Sequence, residues 1–408
     1  MAAHPTGNGY WLVASDGGIF TFGTATFHGS AAGGTDPRPA VGVAATPSGD
    51  GYWIARAAGG ARLAPWDGLV SDQRRMAVVG TIGGAISPKS VVHSGDGLFF
   101  AQNMMYRHTV TVYDRDLNLV ATIPDRVVVS DFGTTGVVPG ASYQGAPVEA
   151  DFTSDGSFAY VSNYKMYGPG LGTAGYDSCG AGSWAGSFLY RIDTSSLTID
   201  QVIPVGAVPK FVAVTPDDAR VLVTNWCGFD LSVVDTASAA EVARVPVGRH
   251  PRGIAVSPDS TTAYVAVMGS RDIAVIDLTD LAAPVGWLAN VGASPRHLVL
   301  SPDGGILYAT LNGEGRVVKI DLATGTVVAG VATGQAPRSM AMADDGASLY
   351  VVNYFSNSVS KVRTSDMVEL QELGTGTHPI GITYDADSRR VWVSNYQGSI
   401  QVFEDRAP

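Results

Sequence analysis

Charge, cysteine and long apolar runs are all scarce in this chain, and each shortage removes a class of protein. Only 15% of its 408 residues are charged while 45% are hydrophobic, a balance that a disordered chain does not have. No apolar run approaches the roughly 18 residues of a membrane span. Met1 to Tyr10 lacks the basic start and apolar core of a signal peptide, so the chain reads as a soluble, mature or trimmed form. Absent as well are a phosphate-binding Gly loop with a following Lys and Ser or Thr, a metalloprotease helix motif, a paired CxxC and a serine-hydrolase elbow. Asp385, Ala386 and Asp387 lack the further ligands and terminal Glu of a calcium loop and read as a hairpin turn. What charge there is runs acidic. A formal −11, with a pI near 5, repels duplex DNA or RNA, so an anionic partner needs a local basic patch.

Glycine, in contrast, is abundant at 50 residues and supplies the positive φ of tight hairpins, which points to an all-β chain rich in turns. Pro88, Pro147, Pro209, Pro251, Pro295, Pro337 and Pro379 each open a short apolar strand, and from Pro209 onward they stand 42, 44, 42 and 42 residues apart. In the copy from Pro251, Gly253 to Val256 reads as a first strand and Ser257, Pro258 and Asp259 as a turn. Ala263 to Val267 reads as a second strand, Ile273 to Leu278 as a third, and a weaker fourth leads to Asn290 and Val291. Such a unit cannot bury both faces alone and must stack on copies of itself, and a closed ring of blades leaves only short edges. Second strands end in Asn163, Asn225, Asn353 and Asn395, each 16 residues after its proline, with Asn103 at 15; these read as turn-closing side chains.

The last copy, Pro379 to Pro408, has room for three strands: Gly381 to Tyr384, Val391 to Asn395 and Ser399 to Phe403. Its missing outer strand is expected from Met76 to Ile82, which lies where a leftover fourth strand would. The predicted fold is all-β, a seven-bladed β-propeller over 75–408 closed by an N-terminal outer strand, with 1–74 as a blade-like appendage. In that first segment Gly9, Tyr10, Trp11 and Leu12 recur 42 residues on as Gly51, Tyr52, Trp53 and Ile54, and Pro5, Thr6, Gly7 recur as Pro47, Ser48, Gly49. The end of a second propeller, or extra blades in a larger ring, are the competing readings. Steps of 59 and 62 residues mark insertions near 128–145 and 165–187, the second rich in Gly and carrying Tyr167, Tyr176 and Trp184, as a functional loop would. Cys179 lies in this insertion and Cys227 in the next blade, so a disulfide between them, and with it an oxidising compartment, is expected. Two free buried thiols are the alternative.

Ala159, Tyr160, Val161, Ser162, Asn163 and Leu349, Tyr350, Val351, Val352, Asn353, each behind a proline-led strand and an Asp turn, resemble the YVTN-type β-propeller repeat family. The resemblance covers about 75–408. That family, and the similar propellers of virginiamycin B lyase and lactonases, implies a surface protein, a binding module or, in a few members, an enzyme. Gly9 to Gly23, with Ser15, Asp16, Gly17, Gly18, Ile19 and Phe20, is similar to repeats of exported bacterial cell-surface proteins, which implies an extracellular or cell-surface setting.

The residues after the repeat prolines are Lys89, Val148, Lys210, Arg252, Arg296, Arg338 and Ile380, five of seven cationic in an acidic chain. Innermost strands line the channel of a propeller, so these positions form a cationic funnel, with His250 and His378 two residues away on the same rim. Converging Arg and Lys suit a carboxylate, phosphate or sulfate. Pairing of each cation with an Asp or carbonyl of the neighbouring blade is the architectural alternative. The first expectation is a monomeric, non-catalytic binding or scaffold propeller without a cofactor, holding an anionic small molecule or a protein or cell-surface partner; nucleic acid is not expected. The second is a lyase or lactonase-like hydrolase in which Glu149 and Asp151 meet His297 or His250 across the channel. The likeness to virginiamycin B lyase implies a divalent metal for that second reading.

Overall fold

The computed structural model describes the chain except for residues 6, 15–16, 29, 31–39, 47–50, 57–68, 174 and 181–183. Thr6, Ser15, Asp16 and Pro47 to Gly49 of the repeated N-terminal motifs therefore lie outside the described residues. Two compact units are present, Met1–Pro65 and Trp66–Pro408. The division falls ahead of the expected 74/75 boundary because Ser71 and Arg74 are bonded into the second unit. The Ser71 amide donates to Asp345 Oδ2 at 2.6 Å, and the carbonyls of Ser71 and Arg74 accept from the buried Lys361 Nζ at 2.6 and 3.1 Å.

In the first unit, Ala2–Ala3, Gly9–Val13 and Ile19–Gly23 form a three-stranded antiparallel sheet, and Ala40–Ala45 pairs with Tyr52–Arg56. Trp11 anchors it, fully buried, with its indole N–H on the Thr26 carbonyl at 2.8 Å.

The second unit is a β-propeller of seven antiparallel sheets in chain order. Its inner strands are Ser90–His93, Ser142–Phe152, Pro209–Val214, Pro251–Val256, Pro295–Leu300, Pro337–Met342 and Pro379–Asp385, one for each of blades 1 to 7. Each is in contact with the next, and that of blade 7 returns to that of blade 1. Blade 4 shows the grammar of the repeat: Pro251–Val256, Thr262–Val267, Ile273–Asp277 and a short Gly286–Leu288. Blade 7 takes its outer strand from Arg75–Ile82, which pairs with Ser399–Arg406 in a register running from Ile400 opposite Ile82 to Arg406 opposite Arg75. Among the described residues there is no α-helix.

Apolar faces of adjacent blades make the core. Leu222, Leu231 and Val233 of blade 3 pack with Ile254, Val265 and Ile276 of blade 4, and the ring seam is filled the same way, with Phe99 of blade 1 stacked 3.8 Å from Trp392 of blade 7. Burial of such side chains is worth roughly 1.5–3 kcal/mol each. The insertion near 128–145 is not a free loop. Its start, Arg126–Val128, pairs with Ser142–Gln144 and gives blade 2 a fifth strand, because the 11-residue inner strand overruns its blade and presents an edge to be covered.

Candidate anion site in the central channel

The repeat proline does two things where it stands, at the head of the inner strand in blades 3 to 7 and within it in blade 2. It has no N–H to donate, and the pairing register shifts immediately after it in blades 2 to 7, between Pro147 and Glu149, Pro209 and Phe211, Pro251 and Ile254, Pro295 and Leu298, Pro337 and Met340, Pro379 and Gly381. The residue that follows the proline is thus left out of the ladder, and a bulge re-aims its side chain. Gly253 allows the crowding this creates: a Cβ there would stand 2.7 Å from the Arg296 carbonyl oxygen of the next blade.

Lys210, Arg252, Arg296 and Arg338 from such bulges, and Lys89 from just ahead of the inner strand of blade 1, line one cavity of about 210 Å³, together with Asp177, Trp226 and Met268. Val148 and Ile380, the two apolar members of the series, are buried in the blades instead. Within the ring only Lys210 has a carboxylate at ion-pair distance among the described residues, that of Asp177. Arg252 reaches the Lys210 carbonyl at a long 3.5 Å, and the buried Nε of Arg338 has no hydrogen-bond partner. The architectural alternative, an Asp or a carbonyl of the neighbouring blade for each cation, thus describes Lys210 and, at long range, Arg252, while Lys89, Arg296 and Arg338 have no such side-chain partner among the described residues. Burial, then mutual repulsion, lowers the ring's proton affinities: Lys89 and Arg296 fall well below their ordinary ranges and Arg338 falls to about 10. Arg252 is lowered by burial against the pull of Glu149 and Asp177, and Lys210 to about 7 by burial against the pull of Asp177. Burial pushes Asp177 up, but Lys210 and its neighbours bring it down to about 2.

A second ring surrounds the first. Lys89 Nζ lies 5.0 Å from the Tyr396 ring, Lys210 Nζ 4.3 Å from Tyr164 and 5.3 Å from Trp226, and the Arg338 guanidinium 3.9 Å from Tyr354. Electron-rich faces steady a cation without neutralising its charge. Sequence reasoning passed over these aromatics, although the signal was there: each directly follows the asparagine that closes the second strand, at 163–164, 225–226, 353–354 and 395–396.

The long insertion of blade 2 comes over this mouth. Cys179 and Cys227 are joined, with Cα atoms 5.3 Å apart, and the Trp226 indole donates to the Asp177 carbonyl at 2.9 Å. Tyr176, Tyr167 and Lys165 extend the site into an adjoining cavity of about 320 Å³ that shares Lys89, Lys210 and Asp177 with the first.

Toward the other ends of the inner strands lies a cavity of about 280 Å³ lined by Glu149, Asp151 and His297 among Phe211, Val214 and Ile254. Burial lifts Glu149 to about 7 against the charges of Arg252 and Arg296, and holds His297 down near 3. Asp151, lifted to about 6 by burial, accepts from the Val214 amide at 2.8 Å. His250 is not with them. It and His378 line neither end: both have left-handed backbone, φ 59° and 58°, so strand alternation does not carry across the proline. Each ring stacks instead on the aromatic of the blade before its proline, His250 on Trp226 and His378 on Tyr354, both at 4.4 Å. Among the described residues no three His, Cys, Asp or Glu side chains converge as metal ligands, so the residues present do not fit the divalent ion that the lyase likeness implies.

Among solved structures the chain is similar to hydrazine synthase of Kuenenia stuttgartiensis, at 18% identity and a TM-score of 0.61 over 80% of this chain and 98% of that one. It is also similar to a chain of the mitotic checkpoint complex, at 11% identity and a TM-score of 0.63 over 84% and 96%. These likenesses are to the propeller fold. No family model and no curated protein matches the chain.

Proposed function

We propose that this protein is an extracellular or cell-surface binding propeller of the YVTN type whose central funnel holds an anionic small molecule, or an acidic group of a protein partner. The single observation that carries this reading is the convergence of five cations from five inner strands on one cavity, four of them without a carboxylate of their own. Desolvated, preorganised donors favour a multiply charged carboxylate or phosphate over water, and the surrounding aromatics suit a ligand with a flat or apolar part. The Cys179–Cys227 bond and the YVTN-like repeats support the extracytoplasmic setting. Calorimetric titration with citrate tests the proposal. One-to-one binding is expected, weakening with salt and falling by about tenfold or more in Arg296→Ala, as loss of a buried charge contact requires. Equal heats in wild type and variant would remove it.

A second reading, acid–base hydrolysis at the opposite end, is favoured by Glu149 and His297 sharing one cavity with Glu149 poised near 7. Lactone turnover lost in Glu149→Gln with citrate binding intact is the outcome it requires.

A further inference from the structure

Lysine is rare here: five of the 26 cationic residues, the remaining 21 being arginine. Lys361 is buried against Asp405 in the ring seam and Lys319 is bonded to the Thr364 carbonyl at 3.0 Å. The other three, Lys89, Lys165 and Lys210, line a single cavity. An arginine keeps its proton under any condition a protein meets, whereas a lysine can lose it and then attack a carbonyl carbon. The three differ in their company. Lys210 is paired with Asp177, and Lys165 lies 4.6 to 5.9 Å from the rings of Tyr176, Tyr167 and Tyr164. Lys89 Nζ has neither an ion-pair nor a hydrogen-bond partner among the described residues, rests over Tyr396, and opens onto both cavities of this mouth. It faces Lys210, Arg252, Arg296 and Arg338, with Asp177 and Lys165 on the shared wall and Glu149 deeper in the channel. Protein surrounds it while its tip stays reachable, and burial followed by four like charges disfavours its ammonium form.

We propose that Lys89 is a nucleophilic amine that forms an imine with an α-oxo carboxylate bound in the funnel, the carboxylate being held by Arg252, Arg296 and Arg338. The Nζ lone pair makes the C–N bond to the keto carbon, the carbonyl π pair moves to oxygen, and both amine protons leave with that oxygen as water. No oxidant or reductant is consumed. This inference rests on the anion-site reading above.

The test is reductive trapping. The full chain is incubated at neutral pH with pyruvate and cyanoborohydride, and the adducts are mapped by peptide mass spectrometry. The expected result is modification of Lys89 about tenfold or more faster than of Lys165 and Lys319, the gain that each unit of lowered amine pKa gives in free amine, and faster than of Lys210, whose amine is held by Asp177. The adduct is absent in Lys89→Arg, whose circular dichroism matches wild type, and slowed in Arg296→Ala. Citrate calorimetry runs on the same sample. Retained citrate binding with no adduct, or with adducts spread evenly over the lysines, overturns the imine and leaves the anion site standing; loss of both overturns the two together.

Discussion

The two ends of the channel are built from the same seven inner strands and yet carry opposite chemistry. At the proline end the side chains are cationic, come from bulged positions in blades 3 to 6, and all but Lys210 lack a carboxylate counter-ion of their own. Toward the far end most come from paired positions, with His297 and Ser339 still inside the register gap, and the lining is mostly apolar, its few polar groups being buried acids, a serine and a neutral imidazole. A residue in a ladder is committed to packing, so its freedom to vary is small. A bulged residue is released from that duty, and it is there that a repeat can place function without weakening the sheet.

The largest way to break this contrast is the double substitution Arg252→Ala with Arg296→Ala. Each removes a buried charge contact to a bound anion, at about 2–5 kcal/mol apiece, so citrate binding should vanish from calorimetry. Thermal stability should rise at the same time, since two buried and mutually repelling cations are gone; a fall would mean they are architectural after all. Next is Glu149→Gln, between the two ends. The Glu149 carboxyl is raised from 4.5 to about 7 in the folded chain, so its contribution to stability is full below pH 4.5 and is lost as pH rises through 7. That contribution is about 3 kcal/mol by linkage, and urea unfolding across pH 4 to 8 should lose about that much more in wild type than in the variant, which keeps the raised Asp125 and Asp151. The smallest effect is expected from Asp177→Asn. The carboxylate competes with ligands for Lys210 but is 71% exposed and well screened, so citrate affinity should improve only about two- to fivefold.

Much of this was legible from the residues. The spacing of the prolines dictated the ring, the shortfall of one strand in the last copy pointed to Met76 to Ile82, and the cations after the prolines already named the funnel. Three features were hidden for three different reasons. Strand alternation placed His250 and His378 on the rim, but the backbone turns left-handed before the proline and alternation does not survive that turn. The excess near 128–145 read as loop because a three-residue strand has no periodicity of its own, only an edge to cover. The aromatic ring was missed because its members are single residues per blade, scattered from 164 to 396, that meet only once the ring has closed.

That closure orders events during synthesis. Arg75–Ile82 leaves the ribosome before any blade of the propeller exists, and long before its partner Ser399–Arg406. Until then the nascent chain carries an unpaired apolar edge at its leading end, a sticky strand awaiting a mate that has not been translated. Arg75 at its head, and Gly80 and Thr81 within it, are the modest protections it carries through that wait. A cell that makes this protein must keep that strand from pairing with the wrong edge first, and stalled or shortened chains are the ones most exposed to that error.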